Sequence, residues 1–129
     1  MSDSLLEPDV LARGQQVRCE VLGPSHVQAS YEVDALSQPK TQMAEYVWSK
    51  IWARPGLSRK CRSIANLAML TALNRPHELK LHVKGAINNG LTQGEIGEVL
   101  LQTAVYCGVA AAEDSFRIAR EAFKELGLS

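Results

Sequence analysis

Helix punctuation constrains this chain more than any other feature of its sequence. Apolar residues recur at three- and four-residue spacing, and Pro, Gly and Ser/Thr stand where helices start or stop; no stretch alternates as a half-buried strand would. The spacing predicts an all-α chain of about six helices. A first helix begins near Asp9, carries Val10, Leu11, Gly14, Val17 and Val21, and stops at Gly23-Pro24. From Ser25 to Ser37 the pattern is weak, which reads as a short helix or an irregular connection. The segment from about Pro39 to Ala53 places Met43, Val47 and Ile51 on one stripe and Trp48 and Trp52 on another, with both indoles expected to be covered. Arg54-Pro55-Gly56 breaks that helix and Ser58 is an N-cap for the next, which runs to about Asn74. That helix is apolar nearly all round, through Cys61, Ile64, Ala65, Leu67, Ala68, Met69, Leu70, Ala72 and Leu73, and is expected at the centre of the fold. Pro76 opens a further helix with Leu79, Val83, Ala86 and Ile87 on its core side and Asn88-Asn89-Gly90 at its end. Thr92-Gln93-Gly94-Glu95 has the form of a capping box, followed at helical spacing by Ile96, Val99, Leu100, Thr103, Ala104 and Cys107. A last helix, from about Ala111, buries Ala112, Phe116, Ala119, Phe123 and Leu126 before Gly127.

At 129 residues the expectation is one domain over 1–129, and with 46% hydrophobic but only 5% aromatic residues its core must be aliphatic and alanine-rich. Fourteen Lys+Arg balance fourteen Asp+Glu, which argues against an electrostatically driven nucleic-acid binder and for a binder of small molecules or of its own copies. Met1 leads into Ser2, Asp3 and Ser4, which does not read as a secretory leader, and no apolar run reaches the ~20 residues of a membrane span; the expected place is the cytoplasm. Cys19, Cys61 and Cys107 are odd in number and form no CxxC, so neither a disulfide framework nor local dithiol chemistry is expected. Helices apolar on several sides have more surface to hide than a domain this small covers, which points to self-association.

Polar groups on or beside apolar stripes carry the functional signal. Glu78 and His82 lie four residues apart and so share a helix face, with His82 bordering the stripe of Leu79, Val83 and Ala86. A carboxylate beside a half-buried imidazole fits general acid–base chemistry; a surface Glu–His pair or a satisfied core histidine accounts for the spacing equally. Arg62 stands on the mostly apolar helix, four residues before Asn66, where its guanidinium needs a partner or a cavity. Clamping a substrate carboxylate is one reading, and an ion pair with Glu78 or Glu45 is the other. Tyr106 and Cys107 read as helix-end core residues, and His77 as exposed. His77 and His82 are five residues apart and diverge, so no zinc site is expected.

Taken in order, Trp48-x3-Trp52-x-Arg54-Pro55-Gly56-Leu57, Arg62-Ser63, Ala68-Met69-Leu70, Asn74-Arg75, Glu78-Leu79-Lys80-Leu81-His82, Asn88-Asn89-Gly90, Glu95-Ile96-x-Glu98-Val99-Leu100-Leu101 and Ala104-Val105-Tyr106-Cys107-Gly108-Val109 resemble the carboxymuconolactone decarboxylase family, and Gly14-x2-Val17-Arg18-x2-Val21-Leu22-Gly23 also fits. The resemblance implies the all-α fold of the alkylhydroperoxidase D group, assembly into a homo-oligomer (trimer or hexamer), and no cofactor. In the peroxidase branch the position of Glu78 is a cysteine of a CxxC pair, and here Arg75 precedes it by three residues; the thiols of a peroxide reductase are lacking even where a superfamily label would suggest one.

The implied reaction is loss of CO2 from 4-carboxymuconolactone to give 3-oxoadipate enol-lactone in protocatechuate catabolism. It requires the protein to hold two carboxylates, desolvate the one that leaves, stabilise the oxyanion and deliver one proton. The candidate roles are Arg62 as carboxylate or oxyanion clamp, His82 as proton donor and Glu78 as the group orienting His82. Trp48, Trp52 and Asn66 are the candidate substrate-binding residues. Departures lie mostly upstream of Trp48: where the family commonly has His-Ala-Trp-Gly, this chain has Tyr46-Val47-Trp48-Ser49. That leaves two alternatives open, a paralogue acting on another lactone or keto acid, and a non-catalytic oligomeric binding protein of the same fold.

Overall fold

The structure, a computed structural model, describes residues 6–30 and 32–128, so the leader reading at Met1–Ser4 lies outside the described residues. Every regular element among them is helical: seven α-helices and one π-helical segment, against the six helices expected. The chain divides into two compact units, Met1–Leu57 and Ser58–Ser129.

In the first unit, α1 (Pro8–Leu22) starts on a proline and buries Gly14, Val17, Val21 and Leu22, a stripe at the expected spacing. The weak stretch after it resolves into a short α2 (Pro24–Ala29) that buries only Val27, which is why no periodicity is legible there. Arg18 Nη2 on α1 donates to Ser30 Oγ at 3.3 Å, and that hydroxyl donates to Val27 O at 2.7 Å, closing the end of α2. Next comes α3 (Ser37–Glu45), which passes directly into the π-helical Tyr46–Trp52. The expected stripe fails at this change of pitch: i→i+5 bonding widens the turn, so a 3.6-residue period no longer tracks one face. Met43 is 63% exposed and Ile51 is also exposed, whereas Trp48, Ser49 and Trp52 are buried. The two indoles, four residues apart, stack with centroids 5.1 Å apart and planes 24° from parallel. Gly14 of α1 lies against Ser49 so closely that a Cβ there would overlap Ser49 Oγ and come within 2.7 Å of its Cα.

The second unit holds α4 (Arg59–Ala72), α5 (Pro76–Asn88), α6 (Gln93–Cys107) and α7 (Val109–Glu125). Ser58 caps α4 by accepting from Cys61 N–H, and Thr92 and Glu95 close the reciprocal capping box on α6 as the sequence predicts. Leu67, Leu79, Val83, Ala86, Leu91, Ile96, Leu100, Ile118, Ala119 and Ala122 form one buried cluster, with Phe116 and Phe123 packed on its edge. Thr71 Oγ1 donates to Leu67 O at 2.8 Å and accepts from Ser115 at 2.8 Å, so α4 meets α7 through a satisfied pair of buried hydroxyls. On the surface Lys80 and Lys84 of α5 pair with Glu121 and Glu125 of α7.

Three expectations are corrected here. The α4 helix is not enclosed: it buries Ser63, Leu67 and Thr71 but leaves Ile64 and Met69 exposed, as is Leu73 at its C-cap. Tyr106 is 81% exposed and not core, and Leu126, the residue that ends α7, is likewise exposed. The last helix begins two residues early, at Val109, since Gly108 at φ 100° turns the chain and lets α7 start directly after it. Among the described residues no helix is long and apolar enough to cross a membrane.

Candidate active site

The polar line between α4 and α5 begins with how those helices are joined. Asn74 takes a left-handed φ of 54°, which Asn tolerates better than other non-glycine residues. Asn74 N–H then donates to Thr71 O at 3.2 Å and Arg75 N–H to Leu70 O at 3.0 Å, the paired bonds of a Schellman ending, and Pro76 starts α5 at once. The helices therefore run antiparallel as a hairpin. Gly90, at φ 96°, repeats the arrangement at the end of α5, with Leu91 N–H donating to Ala86 O at 3.0 Å.

Side-chain hydrogen bonds cross the hairpin. Asn89 Nδ2 donates to Ser63 Oγ at 2.8 Å, and Asn66 Nδ2 lies 3.4 Å from His82 Nδ1. Ser63 is fully buried; Asn66 and His82 are half-buried. Arg62 falls one turn before Asn66 on α4, roughly 6 Å along the helix axis, and its Nε is buried. Glu78 is exposed, one turn before His82 on α5 and so on the other side of the imidazole from Arg62 along the seam. The hairpin thus strings Arg62, the Asn66–His82 pair and Glu78 over about 12 Å.

Of the six nominated residues, Arg62, Asn66, Glu78 and His82 share this seam, and Asn66 and His82 touch. Trp48 and Trp52 belong to the first unit, where each is buried against the other. Sequence spacing pairs His82 with Glu78 on its own helix; the contact with Asn66 depends on the register of two helices, which no local pattern encodes. A hollow of about 620 Å3 lies elsewhere in the second unit, between the start of α6 and the end of α7 with Leu100, Phe116 and Phe123 in its wall, and none of the nominated residues lines it. Chemistry and not volume marks the seam. An arginine, an imidazole and a carboxylate in one row can hold an anionic substrate and move a proton at it.

The comparisons with known proteins fall on the same residues. Residues 40–121 match the model of the carboxymuconolactone decarboxylase family, a stretch that contains all six nominated positions. A 4-carboxymuconolactone decarboxylase of Acinetobacter baylyi is 38% identical over 119 residues, 91% of this chain and 89% of that protein. A nitrosuccinic acid decarboxylase of Metarhizium robertsii is 36% identical over 115 residues, 88% of this chain and 80% of its own length. With the motifs, the helical fold and these matches in agreement, the chain belongs to the carboxymuconolactone decarboxylase family.

Proposed function

We propose that this protein is a cofactor-independent carboxy-lyase that removes CO2 from 4-carboxymuconolactone to give 3-oxoadipate enol-lactone, with the α4–α5 seam as its catalytic row. The observation that carries this reading is the alignment of Arg62, His82 and Glu78 along one hairpin inside the family-matched stretch. The unsaturated lactone is its own electron sink. When the carboxylate leaves as CO2, the electron pair moves through the ring double bond to the lactone carbonyl oxygen, and the dienolate is then protonated on the ring carbon next to that carbonyl. Arg62 holds a carboxylate or the developing oxyanion, His82 gives the proton, and Glu78 supports the protonated imidazole from one turn away.

The working unit in this reading is a homo-oligomer of single 1–129 domains with the alkylhydroperoxidase D-like fold, acting in the cytoplasm. Support comes from the exposed apolar residues Ile64, Met69, Leu73, Leu101, Val105 and Tyr106 on α4 and α6, and from a shallow apolar hollow of about 370 Å3 lined by Ile64, Ala68, Val99, Tyr106 and Cys107. The three cysteines are free thiols, as suits a reducing compartment.

A second reading, decarboxylation of a different acid, is favoured by one observation: the fungal relative, nearly as similar, is named for nitrosuccinic acid. Both named substrates are succinates that carry an electron-accepting group on a carboxylate-bearing carbon, so one row of residues suits either. The test is purified protein with each acid, following ultraviolet loss of the lactone and release of CO2. Turnover of the lactone is expected, with His82→Gln lowering kcat by about 10²–10⁴. Absence of CO2 from the lactone, or near-wild-type turnover by His82→Gln and Arg62→Ala in folded protein, overturns the proposal.

A further inference from the structure

We infer that Asn66 is a positioning residue that holds His82 by Nδ1 and so makes Nε2 the nitrogen that carries the transferable proton. The inference deepens the reading of His82 as proton donor and rests on it. An amide nitrogen has only hydrogens to offer, so Asn66 Nδ2, 3.4 Å from Nδ1, is the donor and Nδ1 the acceptor. A neutral imidazole whose Nδ1 accepts carries its proton on Nε2. When the ring takes up a second proton, Nδ1 becomes a donor, and the same amide turned over presents Oδ1 to it. Asn66 therefore serves both protonation states without adding a charge. A carboxylate in its place would favour the Nδ1–H tautomer of the neutral ring and leave Nε2 without its proton.

Its surroundings fix the geometry on both sides. One turn back along α4, Ser63 is fully buried and receives the Asn89 amide from the end of α5, so the two helices are pinned in register next to the Asn66–His82 pair. The orienting contact thus comes from across the hairpin, whereas Glu78, on the same helix as His82, is exposed. Asn66 acts through the imidazole and not on the substrate, which separates this role from the substrate-binding role expected of it.

Imidazole 15N shifts in the intact, uniformly labelled protein give the first test, because they report the tautomer with no substrate present. At a pH where His82 is neutral, wild type is expected to have Nδ1 unprotonated and Nε2 protonated, and the isosteric Asn66→Asp is expected to reverse this. Asn66→Ala, checked for wild-type circular dichroism, is expected to lose kcat by about ten- to a hundredfold with KM within about twofold, the scale on which orienting partners of functional imidazoles act. Three results would each overturn the inference: a wild-type Nδ1–H tautomer, unchanged shifts in Asn66→Asp, or an Asn66→Ala loss that lies in KM with kcat retained. Wild-type protein with the expected tautomers but no decarboxylation would instead overturn the proposed function and leave the placing of the proton standing.

Discussion

The approach of Gly14 to Ser49 gives the most direct measure of how tightly α1 is set against the π-helical segment. A methyl group at position 14 would overlap Ser49 Oγ and lie 2.7 Å from Ser49 Cα and Cβ, where ordinary contact begins at 3.4 Å. A hydroxyl can rotate away, but the Cα is backbone, so Gly14→Ala must part the two elements by about 0.7 Å, the shortfall between those distances. Overpacking of this kind costs about 1–3 kcal/mol. Alanine returns up to about 1 kcal/mol through its better helix propensity. With that return the expected net loss is up to about 2 kcal/mol. The Ser49 Oγ is buried with no hydrogen-bond partner among the described residues. Leaving such a group unsatisfied costs about 1–3 kcal/mol. Ser49→Gly removes it at a backbone-entropy cost of order 0.5 kcal/mol, so that variant is expected to match or exceed wild-type stability. In the double variant the new methyl still meets the backbone at position 49, but the serine Cβ and Oγ are gone, so part of the Gly14→Ala loss is recovered as a coupling energy. Urea unfolding followed by tryptophan fluorescence suits the test, since both tryptophans, Trp48 and Trp52, lie in this unit. A Gly14→Ala midpoint at or above wild type, or no relief on adding Ser49→Gly, would refute the packing argument.

Thr71→Val is expected to cost about 1–3 kcal/mol by stranding the buried Ser115 hydroxyl, and Thr71→Val/Ser115→Ala to recover most of it, as read from thermal midpoints. Thr92→Ala removes the acceptor for Glu95 N–H at the start of α6 and is expected to cost about 1 kcal/mol in a urea melt. Hydrogen bonding from Lys80, then Lys84, holds the Glu125 carboxyl below its ordinary 4.5, so its contribution is present above that value and fades as pH falls through the lower folded value. Wild type should therefore lose thermal stability more steeply in acid than Glu125→Gln does; equal slopes would show that these exposed pairs do not report on folding.

Local signals are legible in the sequence and registers between elements are not. The capping box at Thr92–Glu95, the Ser58 cap and the stops at Gly23 and Gly90 each sit within a few residues, so their chemistry fixes them whatever packs above. The pitch change at Tyr46–Trp52 defeats a period of 3.6 and with it the Met43/Val47/Ile51 stripe. The α4 helix reads as central because composition counts apolar residues without saying which of them meet a neighbour. The same divide runs through the seam: Glu78 and His82 are found because four residues make a turn, whereas Asn66 is named without its partner, because that contact is between helices.

Asn74, at φ 54°, makes the turn that joins α4 to α5, and it gives a last prediction separable from the chemistry. A left-handed conformation costs an ordinary residue about 1–2 kcal/mol, and Asn less. Asn74→Ala is therefore expected to destabilise the hairpin by about 1 kcal/mol, while Asn74→Gly, free of a Cβ, keeps wild-type stability or exceeds it. If the turn is what sets the register, the glycine variant also keeps the wild-type 15N shifts of His82, and the alanine variant exchanges between two sets of shifts as the turn slips. Equal stability of the two variants would mean that the turn is carried by the packing of Leu67, Leu79 and Val83 in the core of the hairpin. Asn74 would then be a consequence of the register and not its cause.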